Sequence, residues 1–444
     1  MRFAGFVAGL VFTALSWAAA ARGEALPQEA NSLATRFYTL APVEVRRAPS
    51  LRAPVVARLF ANETVWVIDP NLRDGVGPPM AEVKVGQARG FVPRDVLSDV
   101  VVEVYKAERR AVLLKGTTVV ESFPIALGAD APSGDKAQRG DRATPEGRFF
   151  ISLREEAPSP ERYGARSMLL SYPAASHARK GVGAGLIDVP SYKRILTQLR
   201  AGHTPQQTTR LGGSIRIHGG GSRPDWTLGC IALSDEHVKR LFALTAQGTR
   251  VDVFSSRQAA EEARTHLAAR IEAGAREQLT RPALYTERAM SYARLAYPGG
   301  DIPPDHAVCS DIVVRAMRAA GLDLQALVYE DRLLRAAAYP RTRAPDWSID
   351  HRRVKNLVTF FDRFAEPVPL EETPFAPGEI VFFETGIANG SPYDHVGIVS
   401  GARASPSVIN IWAPGAHTAS MPLLGQSYPV VTARYRLSAR LRGW

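Results

Sequence analysis

Cysteine is scarce in this chain: two of 444 residues, Cys230 and Cys309. At most one disulfide is possible, and the two fall in segments that read as different domains, so no pairing is expected. Zinc-finger spacing, an RNA-binding aromatic signature and a Gly-rich phosphate loop are all missing, which argues against a nucleic-acid partner. His306, His351 and His395 are scattered, without the close-spaced ligand pair of a metal site, so no metal is expected. After the N-terminus no segment is long and apolar enough to cross a membrane.

What is present is an ordinary globular composition, 45% apolar and 22% charged. The length predicts two to four domains. A formal net charge of +11 favours anionic partners. The basic residues are spread along the chain rather than clustered, which suits an anionic envelope polymer at least as well as nucleic acid. Residues 1–25 read as an export signal: Arg2, an apolar run from Phe3 to Ala21, and A-x-A sites within Ala18–Ala21. The alternative is a membrane anchor, disfavoured by the alanine-rich end and by Arg22-Gly23-Glu24. Periplasm is the expected location, with no stable membrane span after cleavage.

Residues 36–99 read as short strands broken by turns such as Asp74-Gly75 and Pro78-Pro79. Residues 100–254 open with strands at 101–105 and 111–114. They end with a helix from Asp235, capped by Ser234, and a strand at 250–254. The Ala/Glu/Arg-rich stretch 255–281 predicts an exposed connecting helix. Residues 282–437 pattern as helices first and strands later, at 378–383, 395–399 and 408–411. The fold class is therefore multi-domain α+β.

Two constellations carry nucleophilic chemistry. In the first, the strand Ile215-Arg216-Ile217-His218 runs into Gly219-Gly220-Gly221, and Thr227-Leu228-Gly229-Cys230 follows. A thiol needs a base, oxyanion donors and a backbone that admits substrate. A strand–turn–strand can return Cys230 to His218, and Gly229 frees the backbone beside the thiol. In the second, Cys309 starts an amphipathic helix, where the macrodipole favours a thiolate. His395 starts a later strand, and Asn410 lies beside Ile409 on the next. That is papain-like logic. An unrelated buried Cys and surface His is the bland alternative for each.

These motifs carry resemblances. Val45-Arg46-Arg47-Ala48-Pro49 with Gly90-Phe91-Val92-Pro93 resembles a small bacterial SH3-like β-barrel, which implies wall binding, a structural spacer being the alternative. His218-Gly219 with Thr227-x-Gly229-Cys230, preceded by Gly140-x-x-x-Thr144-Pro145-x-Gly147-x-Phe149, resembles the YkuD-type L,D-transpeptidases, a mostly β domain. The resemblance implies that Cys230 attacks a peptide bond of a peptidoglycan stem and that His218 is base and then acid. It further implies that Gly219 orients the imidazole and that N–H groups near Gly229 and Cys230 hold the oxyanion. Leu228 stands where the family has His, and Ala232 where it often has Arg. This points to a divergent branch that includes hydrolases, with Arg216 or Arg223 as replacement carboxylate clamps. Residues 290–437 resemble NlpC-like, papain-like envelope hydrolases. Tyr297-Pro298-Gly299-Gly300-Asp301 and Ile349-Asp350-His351-Arg352-Arg353 mark an uncharacterised branch, with His351-Arg352-Arg353 either a stem-carboxylate site or an ion-pair cluster with Asp350.

The expected function is a two-headed peptidoglycan enzyme that needs no cofactor. Its partners are stem peptides and an envelope protein as acyl acceptor or donor. A hydrolytic enzyme of the same fold, a wall-binding scaffold with silent centres, and a general cysteine protease are the alternatives.

Overall fold

The computed structural model describes residues 35–437, except 73–76, 86–87, 130–133, 266, 341–343, 372–373, 387–390 and 424–429. The export-signal reading of residues 1–25 lies outside the described residues. Three sheets follow one another along the chain.

The first has seven strands in the order Val55–Leu59, Val43–Arg46, Ala88–Pro93, Met80–Val85, Thr64–Leu72, Thr35–Thr39, Leu97–Ser98. Its strands form because β-branched residues alternate with polar ones. Val65 and Val67 point inward, with Val45, Leu59, Val83 and Val92, while Thr64 and Trp66 face outward. The two end strands do not pair among the described residues.

The second sheet has eight strands: Thr118–Pro124, Arg110–Lys115, Val100–Tyr105, Arg250–Phe254, Gly147–Glu155, Ser167–Leu170, Arg216–His218, Ile231–Ala232. Most pairings are antiparallel. Val100–Tyr105 with Arg250–Phe254, and Arg216–His218 with Ile231–Ala232, are parallel. Between the paired strands Ser167–Leu170 and Arg216–His218 the chain inserts two helices, Ala175–Gly183 and Val189–Arg200. Asp188 caps the second by accepting from Ser191 N at 2.8 Å, with Pro190 in the first turn.

This insertion touches both neighbouring units. The Arg200 carbonyl accepts from Ala61 N at 3.0 Å on one side. On the other, Arg179 pairs with Glu330 at 2.7 Å, and Tyr192 joins Tyr297 at 2.8 Å. Ile195, Leu196 and Tyr329 pack around these polar groups.

The stretch 255–281 differs from the expected exposed connector. It forms two helices, Arg257–Thr265 and Leu267–Glu277. The second buries Leu267, Ile271 and Ala275, spaced four apart on one stripe, against the helix Cys309–Ala319. A Cβ on Gly274 would come within 2.6 Å of Ala319 Cβ, so the two helices meet closely there.

The third sheet is antiparallel, in the order Glu366–Pro367, Val430–Arg436, Ile380–Glu384, His395–Ser400, Ser407–Asn410, Ala419–Pro422. The helices Cys309–Ala319 and Val354–Phe364 cover it through Ile312, Val313, Leu357 and Phe361. Among the described residues no helix is long and apolar enough to cross a membrane.

Candidate active sites

The first site is built at one edge of the central sheet. Ile217 pairs with Ile231 and His218 with Ala232 in parallel register. Cys230 precedes that strand by one residue. It stands two residues before Ala232, the residue that His218 pairs with. Gly229 has φ +119°, and a Cβ there would lie 2.7 Å from the Ala143 carbonyl oxygen. Glycine is thus required beside the thiol, and the upstream run Gly140–Phe149 supplies the wall it packs on. Thr227 Oγ1 shapes the same turn, donating to the Cys230 carbonyl at 2.8 Å and accepting from Gly229 N at 3.1 Å.

His218 is buried. Its Nδ1 lies 2.7 Å from the Gly219 carbonyl. A carbonyl only accepts, so Nδ1 carries the proton and Nε2 keeps the lone pair. Tyr163 and Trp226 meet the ring edge-on at 5.3 and 5.6 Å. Burial pushes the imidazole below its ordinary range; the Gly219 hydrogen bond works against this. The Cys230 thiol is pushed up, again by burial, against the pull of Arg216, Lys136 and Arg162. Its sulfur donates to the Ser214 carbonyl at 3.5 Å, and it makes no hydrogen bond to His218. Uncomplexed catalytic pairs often tighten only around substrate.

Arg216 is not available as a replacement clamp: it is committed to Glu155 and to Ser167 Oγ at 2.7 Å. Leu228, in the place of the family histidine, is 70% exposed. Asp235 belongs to this site although the sequence reading passed over it. Its Oδ1 accepts from Ala165 N at 2.8 Å and Gly220 N at 3.1 Å. The only sequence signal was its place in the first turn of a helix.

The second site lies where the helix Cys309–Ala319 meets the third sheet. Cys309 is its first residue, and the Asp311 carboxylate caps that end by accepting from Val308 N at 2.8 Å. His395 opens the neighbouring strand. Its Nε2 lies 3.4 Å from Asn410 Oδ1; with the amide oxygen accepting, Nδ1 is left as the basic nitrogen. Trp412 packs against the imidazole at a tilt of 59°, with 4.4 Å between ring centroids. Gly397 lets Asn410 approach, because a Cβ there would fall 2.4 Å from Val408 Cγ2 and 3.2 Å from Asn410 Cβ.

The thiolate expected at this helix start is not what the surroundings favour. Burial pushes Cys309 up to about 12 and His395 down to about 4, so both rest neutral. The two cysteines are free thiols.

In His351-Arg352-Arg353 the charges are divided, with Arg353 acting on Asp350. Arg352 is buried and forks onto Asp311 at 2.8 and 2.9 Å, while Asp350 pairs with Arg332. The Arg352 charge therefore braces the start of the cysteine helix and does not face a ligand. Among the described residues no cluster of His, Cys, Asp and Glu could hold a metal ion.

Two family models match parts of the chain. The family model described as the L,D-transpeptidase catalytic domain, YkuD, matches residues 99–253, and the central unit is of that class. The model described as a domain of unknown function, DUF1287, matches residues 272–437. An uncharacterized protein of Escherichia coli K12, YijF, is 40% identical over 165 residues, covering 35% of this chain and 75% of the relative. The chain belongs to the same family as that relative.

Among solved structures, Bd1075 of Bdellovibrio bacteriovorus is similar over 43% of this chain at 17% identity and a TM-score of 0.24. This chain spans 63% of it, less than two thirds of its length. The helical cell shape determining protein Pgp2 of Campylobacter jejuni is similar over 73% of this chain and 90% of its own, at 14% identity and a TM-score of 0.27.

Proposed function

We propose that this is a peptidoglycan-modifying enzyme of the cell envelope whose central unit transfers acyl groups through Cys230. The observation that supports it is the parallel pairing of His218 with Ala232, two residues after Cys230 and beside the Gly229 turn.

His218 Nε2 takes the thiol proton as sulfur attacks the carbonyl carbon of a stem-peptide bond. The Gly229 N–H is engaged by Thr227 Oγ1, so the Cys230 N–H is the donor offered to the oxyanion. The tetrahedral species collapses, the C–N bond breaks, and the leaving amine takes the proton from His218. An acceptor amine, from another stem or an envelope protein, then displaces the thiolate and forms a new amide. Water in its place gives hydrolysis. Arg162 stacks over Tyr163 at 5.6 Å and has no carboxylate partner among the described residues. It replaces the missing family arginine as clamp for a substrate carboxylate.

The C-terminal unit is read as a papain-like amidase or endopeptidase using Cys309, His395 and Asn410. The burial of that thiol also favours a second reading, in which this centre is silent and the unit binds stems. The first sheet is read as an SH3-like module that holds the wall.

Mass spectrometry of muropeptides from sacculi incubated with wild type, Cys230→Ala and Cys309→Ala tests all of this. New crosslinks or trimmed stems lost only with Cys230→Ala are expected for the central unit, and their masses identify amine or water as acceptor. Products that persist in Cys230→Ala refute the proposal.

A further inference from the structure

The peptide unit joining Gly219 and Gly220 is held at both ends. Its carbonyl accepts from His218 Nδ1 at 2.7 Å, and its N–H donates to Asp235 Oδ1 at 3.1 Å. An imidazole and a carboxylate are thus joined in line through one peptide group. The seat of that carboxylate is built for it. A Cβ on Gly219 would stand 2.1 Å from Asp235 Oδ1, and one on Gly164 would stand 2.3 Å from the same oxygen. Both positions must lack a side chain for the oxygen to reach Gly220 N and Ala165 N. The turn has no slack elsewhere: Gly219 N donates to the Tyr163 carbonyl at 2.8 Å, Gly221 N to the Leu233 carbonyl at 2.8 Å, and Leu233 N to the His218 carbonyl at 2.8 Å.

We propose that Asp235 is a positioning residue of the His218 centre, acting through the Gly219–Gly220 peptide as the carboxylate of a relayed Cys–His–Asp triad. A carboxylate on the N–H end polarises the peptide and strengthens its carbonyl as acceptor, because hydrogen bonds in a chain reinforce one another. The imidazolium formed when His218 takes the thiol proton is stabilised, and the ring is held through Nδ1, leaving Nε2 as the basic nitrogen. The charged and titratable groups around the imidazole are Arg216 on its own strand, Cys230 across the parallel pair, Tyr163 against the ring, Arg162 beside Tyr163, and Asp235. Arg216 opposes the imidazolium, and its charge is countered by Glu155. Asp235 is solvent-exposed on its outer side, so screening keeps its effect moderate.

The inference rests on the His218–Cys230 reading above, and alkylation separates the two. The rate of iodoacetamide addition at Cys230, followed by peptide mass spectrometry against pH, reports the assisted thiolate. Asp235→Asn keeps an oxygen for both N–H donors and removes only the charge. With an unchanged melting temperature, its alkylation rate at pH 7 falls about fivefold. The pH midpoint moves toward that of a thiol without help. Asp235→Glu restores the charge and retains the wild-type midpoint, even if its absolute rate is lower. Wild-type rate and midpoint in Asp235→Asn overturn the relay while leaving the His218–Cys230 pair intact. Should Asp235→Asn fail to fold, a shifted midpoint in folded Asp235→Glu overturns it instead. Equal rates in wild type and His218→Ala overturn the base itself, and the relay with it.

Discussion

Two histidines of the C-terminal unit are held neutral by burial, and that has an acid cost. His395 is pushed down to about 4 and His351 to about 3, in each case chiefly by desolvation. In the unfolded chain both take up protons near pH 6.5. As pH falls from about 6.5 toward 4, the unfolded state gains protons that the folded state refuses, and stability drops. The loss through His395 alone is roughly 3 kcal/mol. Urea unfolding at pH 7, 5.5 and 4.5 is expected to show this fall, and His351→Gln, which cannot titrate, to reduce its slope. An identical slope in the variant would assign the acid sensitivity to other groups. Of the residues themselves, the settings of the two cysteines were legible, because a glycine-flanked thiol and a thiol at a helix start are local patterns. Asp235 was not, since its role depends on Gly164, some seventy positions away in the chain.

At the scale of elements, the strand pair His395–Ser400 and Ser407–Asn410 depends on one small residue. Gly397→Ala drives a methyl into Val408 Cγ2 and crowds Asn410. Overpacking of this kind costs about 1–3 kcal/mol. The variant should melt earlier, and the double variant Gly397→Ala with Val408→Ala should recover part of the loss. Their coupling in a double-mutant cycle checks that the clash is between those two side chains. Strands rich in Val and Ile, at 101–105, 250–254 and 395–399, were readable directly from the sequence. The helices Ala175–Gly183 and Val189–Arg200 went unread, although Asp188 and Pro190 carried a start signal. Their buried faces meet other units, so the stripe is interrupted by polar partners such as Tyr192 and Arg179. The helix Leu267–Glu277 looked like a solvated linker because its charges outnumber the three apolar residues that do the packing.

For the whole molecule, the junction between the central and C-terminal units is a buried polar core. Arg179 and Glu330 are 12% and 1% exposed at the side chain. Tyr192 donates to the same carboxylate and shares a hydrogen bond with Tyr297. Removing one partner of a buried pair costs about 3–5 kcal/mol. Glu330→Ala is therefore expected to lower stability by that order and to split unfolding into two transitions, read by calorimetry, as the units lose their coupling. A single transition at the wild-type temperature would show that the apolar contacts alone join them.

The two helices inserted between neighbouring strands have a practical consequence for anyone dissecting this protein. Cutting the chain near residue 255 would not release a finished module. It would leave Arg179, Tyr192, Ile195 and Leu196 as a raw face, part greasy and part polar, with the matching face on the other fragment. Pieces made that way would invite clumping and would misreport what either half does. The intact chain is the smallest honest specimen for study.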